Sequence, residues 1–152
     1  MSTNKIRPFV GLILAGGYSS RMGEDKALLE IDGETLLQRN IKLLKQIGAT
    51  DVFVSRNDFS EGSLPDIYPH QGPLSGIHSA LFQSQLCHNS APIIVLPIDM
   101  PLLSEDLLIC LVEAGLTMDN AVHYIGHPLP AFIPNSNLTR EYLEAILSDI
   151  SA

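Results

Sequence analysis

The chain is poor in the residues that would commit it to several common fates. It holds only two cysteines, Cys87 and Cys110, without Cys-x-x-Cys spacing. That sets aside a disulfide framework and a cysteine-built metal site, and both thiols are expected to be free and buried, Cys110 within the apolar run Leu107 to Val112. Basic residues are scarce too: nine Lys and Arg stand against seventeen Asp and Glu, a formal net charge of −8. Such a chain is not drawn nonspecifically to nucleic acid or to an anionic membrane, and its few cations matter most where they cluster. No stretch reaches the roughly 18 apolar residues of a membrane span. The polar start Met1 to Arg7 has no signal-peptide core, so a cytoplasmic protein is expected. The histidines His70, His78, His88, His123 and His127 form no pair of the His-Glu-x-x-His kind, which argues against zinc. There is no internal repeat and no low-complexity tract.

What is present is a core's worth of apolar side chains, 45% of 152 residues, enough for one domain. Apolar runs alternate with helical spacings: Phe9 to Leu14, Val52 to Val54 and Ile93 to Ile98 read as strands, and Leu36 to Ile47 and Ile77 to Leu86 as helices. This order predicts an α/β fold, Rossmann-like, three layers α/β/α around a mostly parallel central sheet. Phe9 to Leu14 and Ile93 to Ile98 are apolar on both parities, the mark of central strands covered on both faces. The first helix stops at Gly48, suited to a left-handed cap. Ser104 is the expected N-cap of a helix from Leu107 to Ala114 that ends at Gly115. Ala121 to Ile125 and Ala131 to Ile133 read as short strands, kept short or at an edge by Pro128, Pro130 and Pro134. A closing helix is expected over Leu138 to Ile150, and a flexible stretch over Asn57 to Pro65.

The most informative segment is Leu14-Ala15-Gly16-Gly17-Tyr18-Ser19-Ser20-Arg21-Met22-Gly23-Glu24-Asp25-Lys26, directly after the first strand. Small residues let backbone N–H groups approach a triphosphate closely, and Arg21 and Lys26 supply cations that neutralise it. The spacing is neither that of the P-loop nor the Gly-x-Gly-x-x-Gly of dinucleotide folds. A second motif, Asp99 followed by Met100-Pro101, throws a carboxylate out beyond the end of a buried strand. A hard oxygen ligand there suits Mg²⁺, which keeps several waters and takes one or two protein carboxylates beside substrate phosphates. A third, Gly72-Pro73-Leu74-Ser75-Gly76, opens a helix with exposed N–H donors. In open α/β sheets ligands lie beyond the carboxyl ends of the strands, where strand order reverses, and two of these motifs immediately follow such a strand.

Together these motifs resemble the molybdenum cofactor guanylyltransferase family, nucleotidyltransferases of the nucleotide-diphospho-sugar transferase-like fold, whose signature reads Leu-Ala-Gly-Gly-x-Ser-x-Arg-Met-Gly-x-Asp-Lys. The resemblance implies Mg²⁺-dependent transfer of GMP from GTP to the molybdopterin form of the molybdenum cofactor, with release of pyrophosphate. It implies Lys26, Arg21 and Asp99 as catalytic residues and Asp99 as metal ligand. It implies nucleotide contacts from Leu14, Ala15, Gly16, Gly17, Lys26, Asn57, Gly72, Pro73, Leu74 and Asp99. GTP and molybdopterin are the implied substrates, and transient contacts with other molybdenum cofactor enzymes the implied partners. His127 reads either as lining the acceptor side or as a turn residue, and His78 as approaching substrate or lying on the helix surface. The carboxylate that family members often carry before Gly72 to read guanine is replaced by Pro69, His70 and Gln71, with Asp66 further off. A related cytidylyltransferase therefore stays open on residues alone, and the absence of the family's C-terminal segment leaves open a nucleotide-binding relative without turnover. The resemblance runs over roughly residues 8 to 147 and stops short of the family's Asn-x-Asn-Thr-Pro segment, so one nucleotidyltransferase domain over 1–152, without the C-terminal part of the family fold, is expected.

Overall fold

The computed structural model describes residues 8–15, 29–56, 63–65, 67, 73–83, 91–100 and 103–151. Two-sided apolar strands stack as expected. β1 (Val10–Leu14) lies between β4 (Val52–Ser55) and β6 (Ile93–Pro97), parallel to both. β5 (Ser63–Leu64) extends the parallel edge beyond β4. On the other side β8 (His127–Ile133) runs antiparallel to β6, and β7 (Val122–Tyr124) antiparallel to β8, giving the order β5-β4-β1-β6-β8-β7. A separate small hairpin joins β2 (Glu30–Ile31) to β3 (Glu34–Thr35).

The parity of each central strand decides which layer it feeds. Ile13 of β1 and Ile94 and Leu96 of β6 face α1 (Leu36–Gln46) and α3 (Glu105–Met118), meeting Leu44, Leu108, Leu111 and Val112 in one core. Val10 and Leu12, with Ile93 and Val95, face α2 (Pro73–Gln83) and α4 (Asn137–Ser151), meeting Ile77, Ala80, Leu81 and Leu143 in the other. Mostly parallel sheet and helices on both faces are the three layers that the alternating pattern predicted.

Local chemistry sets the helix limits. Thr35 and Gln38 form a reciprocal capping box at the start of α1: Gln38 N–H donates to the Thr35 hydroxyl at 3.1 Å, and Thr35 N–H to Gln38 Oε1 at 2.9 Å. Gly48 follows the end of α1 with φ of 106°, the left-handed conformation expected of it. Ser104 caps α3 as expected, accepting from Leu107 N–H at 3.3 Å.

Four expectations are corrected. Helix α3 does not stop at Gly115 but runs to Met118, ending on Asp119 with φ of 53°. Gly115 is there for close packing: a Cβ on it would lie 2.1 Å from the Phe132 ring of β8. Strand β8 is longer than Ala131 to Ile133 and lies inside the sheet. Pro128 and Pro130 are tolerated because pairing with β6 involves only Ala131 to Ile133, and pairing with β7 is bulged between His123 and Tyr124. Of the stretch expected to be flexible, Ser63 and Leu64 pair with Val54 and Ser55 as an edge strand. Cys110 is exposed instead of buried, because it falls on the outer side of α3 while Leu111 and Val112 turn inward. Cys87 lies outside the described residues.

Candidate active site

The site is built from strand ends. The peptide after β1 is held from both sides: Ala15 N–H donates to the Ser55 carbonyl of β4 at 2.9 Å, and the Leu14 carbonyl accepts from Ile98 N–H at 3.1 Å. The carboxyl ends of three parallel strands are thus laced together. Leu14 is opposite Ser55 on one side and Pro97 on the other. Strand order reverses here, since the chain moves from β1 to β4 on one side and later returns to β6 on the other, and this switch point is where open α/β sheets form their ligand crevice.

Helix α2 is docked onto this edge by the absence of a side chain. A Cβ on Gly76 would lie 2.6 Å from Leu14 Cδ2 and 2.8 Å from Ser55 Oγ, so only glycine allows the first turn of α2 to rest on the ends of β1 and β4. Pro73 starts the helix where its missing N–H costs no helical bond. The helix begins at Pro73, so the motif makes its first turn as expected and the apolar run from Ile77 continues it. Pro73 and Leu74 are exposed at that start, and Ser75 is fully buried behind them.

Asp99 sits in the turn just past β6, exposed at the same edge. Its backbone is fixed by the Ile98 hydrogen bond to Leu14 and by the buried Asn40 of α1, whose side-chain amide donates to the Ile98 carbonyl at 3.4 Å. An exposed carboxylate on a braced turn is a hard oxygen donor of the kind a divalent cation takes. No group of three or more His, Cys, Asp or Glu able to hold a metal occurs among the described residues. Among the described residues gathered at this edge, Asp99 is the carboxylate that could serve as a hard oxygen donor.

Of the residues expected to form the site, the structure brings together Leu14, Ala15, Pro73, Leu74 and Asp99 at one sheet edge. Gly16, Gly17, Arg21, Lys26, Asn57 and Gly72 lie outside the described residues. Two features were missed by sequence reasoning. Arg56, directly after β4, is buried at this edge, with its N–H donating to the Leu64 carbonyl at 3.1 Å. His78 neither approaches the open edge nor lies on the helix surface: it is 1% exposed, pairs through Nε2 with the Glu144 carboxylate of α4, and stacks on Phe82 with ring centroids 4.5 Å apart. The only sequence signal for that pairing is the helical periodicity of α4, which places Glu144 beside the buried Leu143. His127 is exposed at the start of β8, and His123 is exposed on β7. On the far side of the fold, the Tyr124 hydroxyl donates to the Leu107 carbonyl at 2.6 Å, and burial, with the Cys110 thiol adding to it, raises its pKa above the ordinary tyrosine value. No helix among the described residues is long and apolar enough to cross a membrane.

Comparison with known proteins agrees with this geometry. The chain is 45% identical over 102 residues to the molybdenum cofactor guanylyltransferase of Xanthomonas euvesicatoria, an overlap covering 67% of this chain and 52% of that relative. It is 38% identical over 128 residues to a probable molybdenum cofactor guanylyltransferase of Pelotomaculum thermopropionicum, covering 80% of this chain and 60% of that protein. The chain thus spans about half to three fifths of the length of these curated relatives. Among solved structures, molybdopterin-guanine dinucleotide biosynthesis protein A from Archaeoglobus fulgidus superposes with a TM-score of 0.69 at 21% identity, covering 93% of this chain and 74% of that one. The 2-C-methyl-D-erythritol 4-phosphate cytidylyltransferase of Thermus thermophilus gives 0.65 at 16% identity, covering 96% and 80%. These two likenesses speak for the Rossmann-like fold. The family model of the MobA-like NTP transferase domain matches residues 11–151, from the central strand β1 to the end of α4, and the chain belongs to that family.

Proposed function

We propose that the protein transfers GMP from GTP to the terminal phosphate of the molybdopterin cofactor. The observation that carries this reading is the meeting, at the switch point of a parallel sheet, of the strand leading into the glycine signature, the Pro73-Leu74 helix start and Asp99. The names of the curated relatives support guanine as the base and molybdopterin as the acceptor.

In this reading an oxygen of the acceptor phosphate attacks the α-phosphorus of GTP, the bond to the bridging oxygen breaks, and pyrophosphate leaves. Such a transfer needs little covalent help. Alignment of the reactants and neutralisation of charge supply most of the rate. The backbone around Gly16 and Gly17 cradles the phosphates, and Lys26 and Arg21 balance charge developing on the pyrophosphate. Pro73, Leu74 and Gly72 border the base, with Asn57 beyond β4. Asp99 fits Mg²⁺ because one exposed carboxylate leaves room for the waters and phosphate oxygens this ion prefers. When bound there, the ion would polarise the reacting phosphate. The chain's own contribution is to hold that carboxylate still, through Asn40 and the Ile98 to Leu14 bond. The protein would work in the cytoplasm, receiving its acceptor in transient contact with other enzymes of the cofactor.

The test is release of pyrophosphate on mixing the purified protein with GTP, molybdopterin and Mg²⁺. Release that requires all three is expected. Nucleotide binding without release would assign the chain to nucleotide-binding proteins without turnover.

A further inference from the structure

A groove of about 260 Å³ opens beside the candidate site, between α1 and the segment that follows Asp99. Its walls include Glu34, Arg39, Asn40, Lys42, Met100 and Leu103. Asn40 is shared between groove and site, since its amide braces the Ile98 carbonyl, and Met100 follows Asp99 directly.

The charge of α1 is out of character for this chain. Arg39, Lys42 and Lys45 are three of its nine basic residues, and α1 contains no acidic residue, whereas the whole chain carries −8. Lys42 meets Glu34 at 3.7 Å, but the Lys42 side chain is mostly in water and that of Glu34 partly so, and such a pair constrains neither strongly. Arg39 is half-buried and, among the described residues, meets no carboxylate. The other described cations are placed elsewhere: Arg56 follows β4, and Arg140 is held by Asn135 and Asn137 at the start of α4. Any anion brought next to Asp99 on the α1 side would be repelled by that carboxylate unless a cation met it there.

We propose that this groove is an anion subsite that takes a phosphate group on the Arg39 guanidinium, with Lys42 as supporting charge. A guanidinium presents two parallel N–H donors to two phosphate oxygens, and packing against the helix limits the freedom it loses on binding. The phosphate belongs either to the nucleotide or to the acceptor. Only that choice rests on the transferase reading.

The test uses the whole chain with ¹³C-labelled methionine methyl groups and inorganic phosphate as the probe, the Met100 signal being assigned with Met100→Leu. Phosphate is expected to shift the Met100 methyl saturably beyond any effect of sodium chloride at equal ionic strength. Arg39→Gln should weaken that response about tenfold or more, the scale of a lost charge-assisted pair. Arg39→Lys keeps the charge and loses the fork, so an intermediate affinity is expected. Absence of a phosphate-specific shift, or wild-type responses from both Arg39 variants, would overturn the subsite. Repeating the titration with saturating GTP separates the sources: competition assigns the groove to the nucleotide's phosphates, and simultaneous binding to the acceptor's. Calorimetry of GTP on the same samples reads the nucleotide site independently, so failure of the transferase reading cannot pass for failure of the subsite.

Discussion

The two halves of the main sheet obey different rules. In the parallel half, β1 and β6 are buried at all but their last residue, because helices cover both faces. In the antiparallel half, β7 is only partly covered and β8 begins with exposed His127 and Pro128 before turning inward at Pro130 to Phe132. Two-sided burial makes the parallel strands stiff and leaves their carboxyl ends as the place where polar backbone and side chains face outward together. The antiparallel half closes the sheet through the turn at Gly126 and packs on α3, and none of the residues gathered at the switch point comes from it. The residues of the candidate site gather where these buried strands end, and the closing half contributes packing against α3.

Substitutions that touch one half and spare the other sharpen this contrast. Asp99→Asn, at the edge of the parallel half, should reduce transfer by about a hundredfold or more while leaving the melting temperature within a few degrees. Wild-type turnover in a pyrophosphate-release assay would remove Asp99 from the reaction. Gly115→Ala, in the antiparallel half, drives a Cβ into the buried Phe132 ring and should cost about 3 kcal/mol of stability or more in urea unfolding. The folded fraction should bind GTP normally, and Phe132→Leu should restore part of the loss. Gly76→Ala meets side-chain atoms, Leu14 Cδ2 and Ser55 Oγ, that must shift to make room, rather than a buried aromatic ring, so its stability cost should be smaller, about 1 to 2 kcal/mol. Unlike Gly115→Ala, it should also weaken GTP binding measured by calorimetry, because α2 is displaced from the end of β1. Thr35→Ala removes half of the capping box of α1 and should cost about 1 kcal/mol in thermal unfolding, with nucleotide affinity unchanged.

The parallel half was also the more legible half. Runs such as Ile93 to Leu96, short, rich in β-branched residues and apolar on both parities, read as covered strands, and Ser104 and Gly48 mark helix limits by chemistry that acts within a few residues. The glycine signature and Asp99 were visible because each follows such a run. What escaped depended on partners distant in sequence. Gly115 looks like a helix stop until Phe132 is placed across from it, and the prolines of β8 suggest an edge until the pairing is seen to avoid them. His78 could not be assigned because Glu144 is 66 residues away, and β5 is too short to carry any periodicity of its own. The Gly72 to Gly76 motif marks the start of α2 in the sequence, but the reason Gly76 must be small depends on Leu14 and Ser55, which are distant in the chain. The cations of the glycine signature, Arg21 and Lys26, lie outside the described residues, and their roles rest on the motif.

The central claim is that the carboxyl edge of the parallel half binds GTP with the help of a divalent cation at Asp99. Calorimetric titration of the protein and of Asp99→Asn with GTP and with CTP, each with and without Mg²⁺, tests it most directly. The account predicts GTP-selective binding that Mg²⁺ strengthens in the parent protein and not in the variant. Equal affinity for the two nucleotides, or the same Mg²⁺ dependence in both proteins, would contradict it.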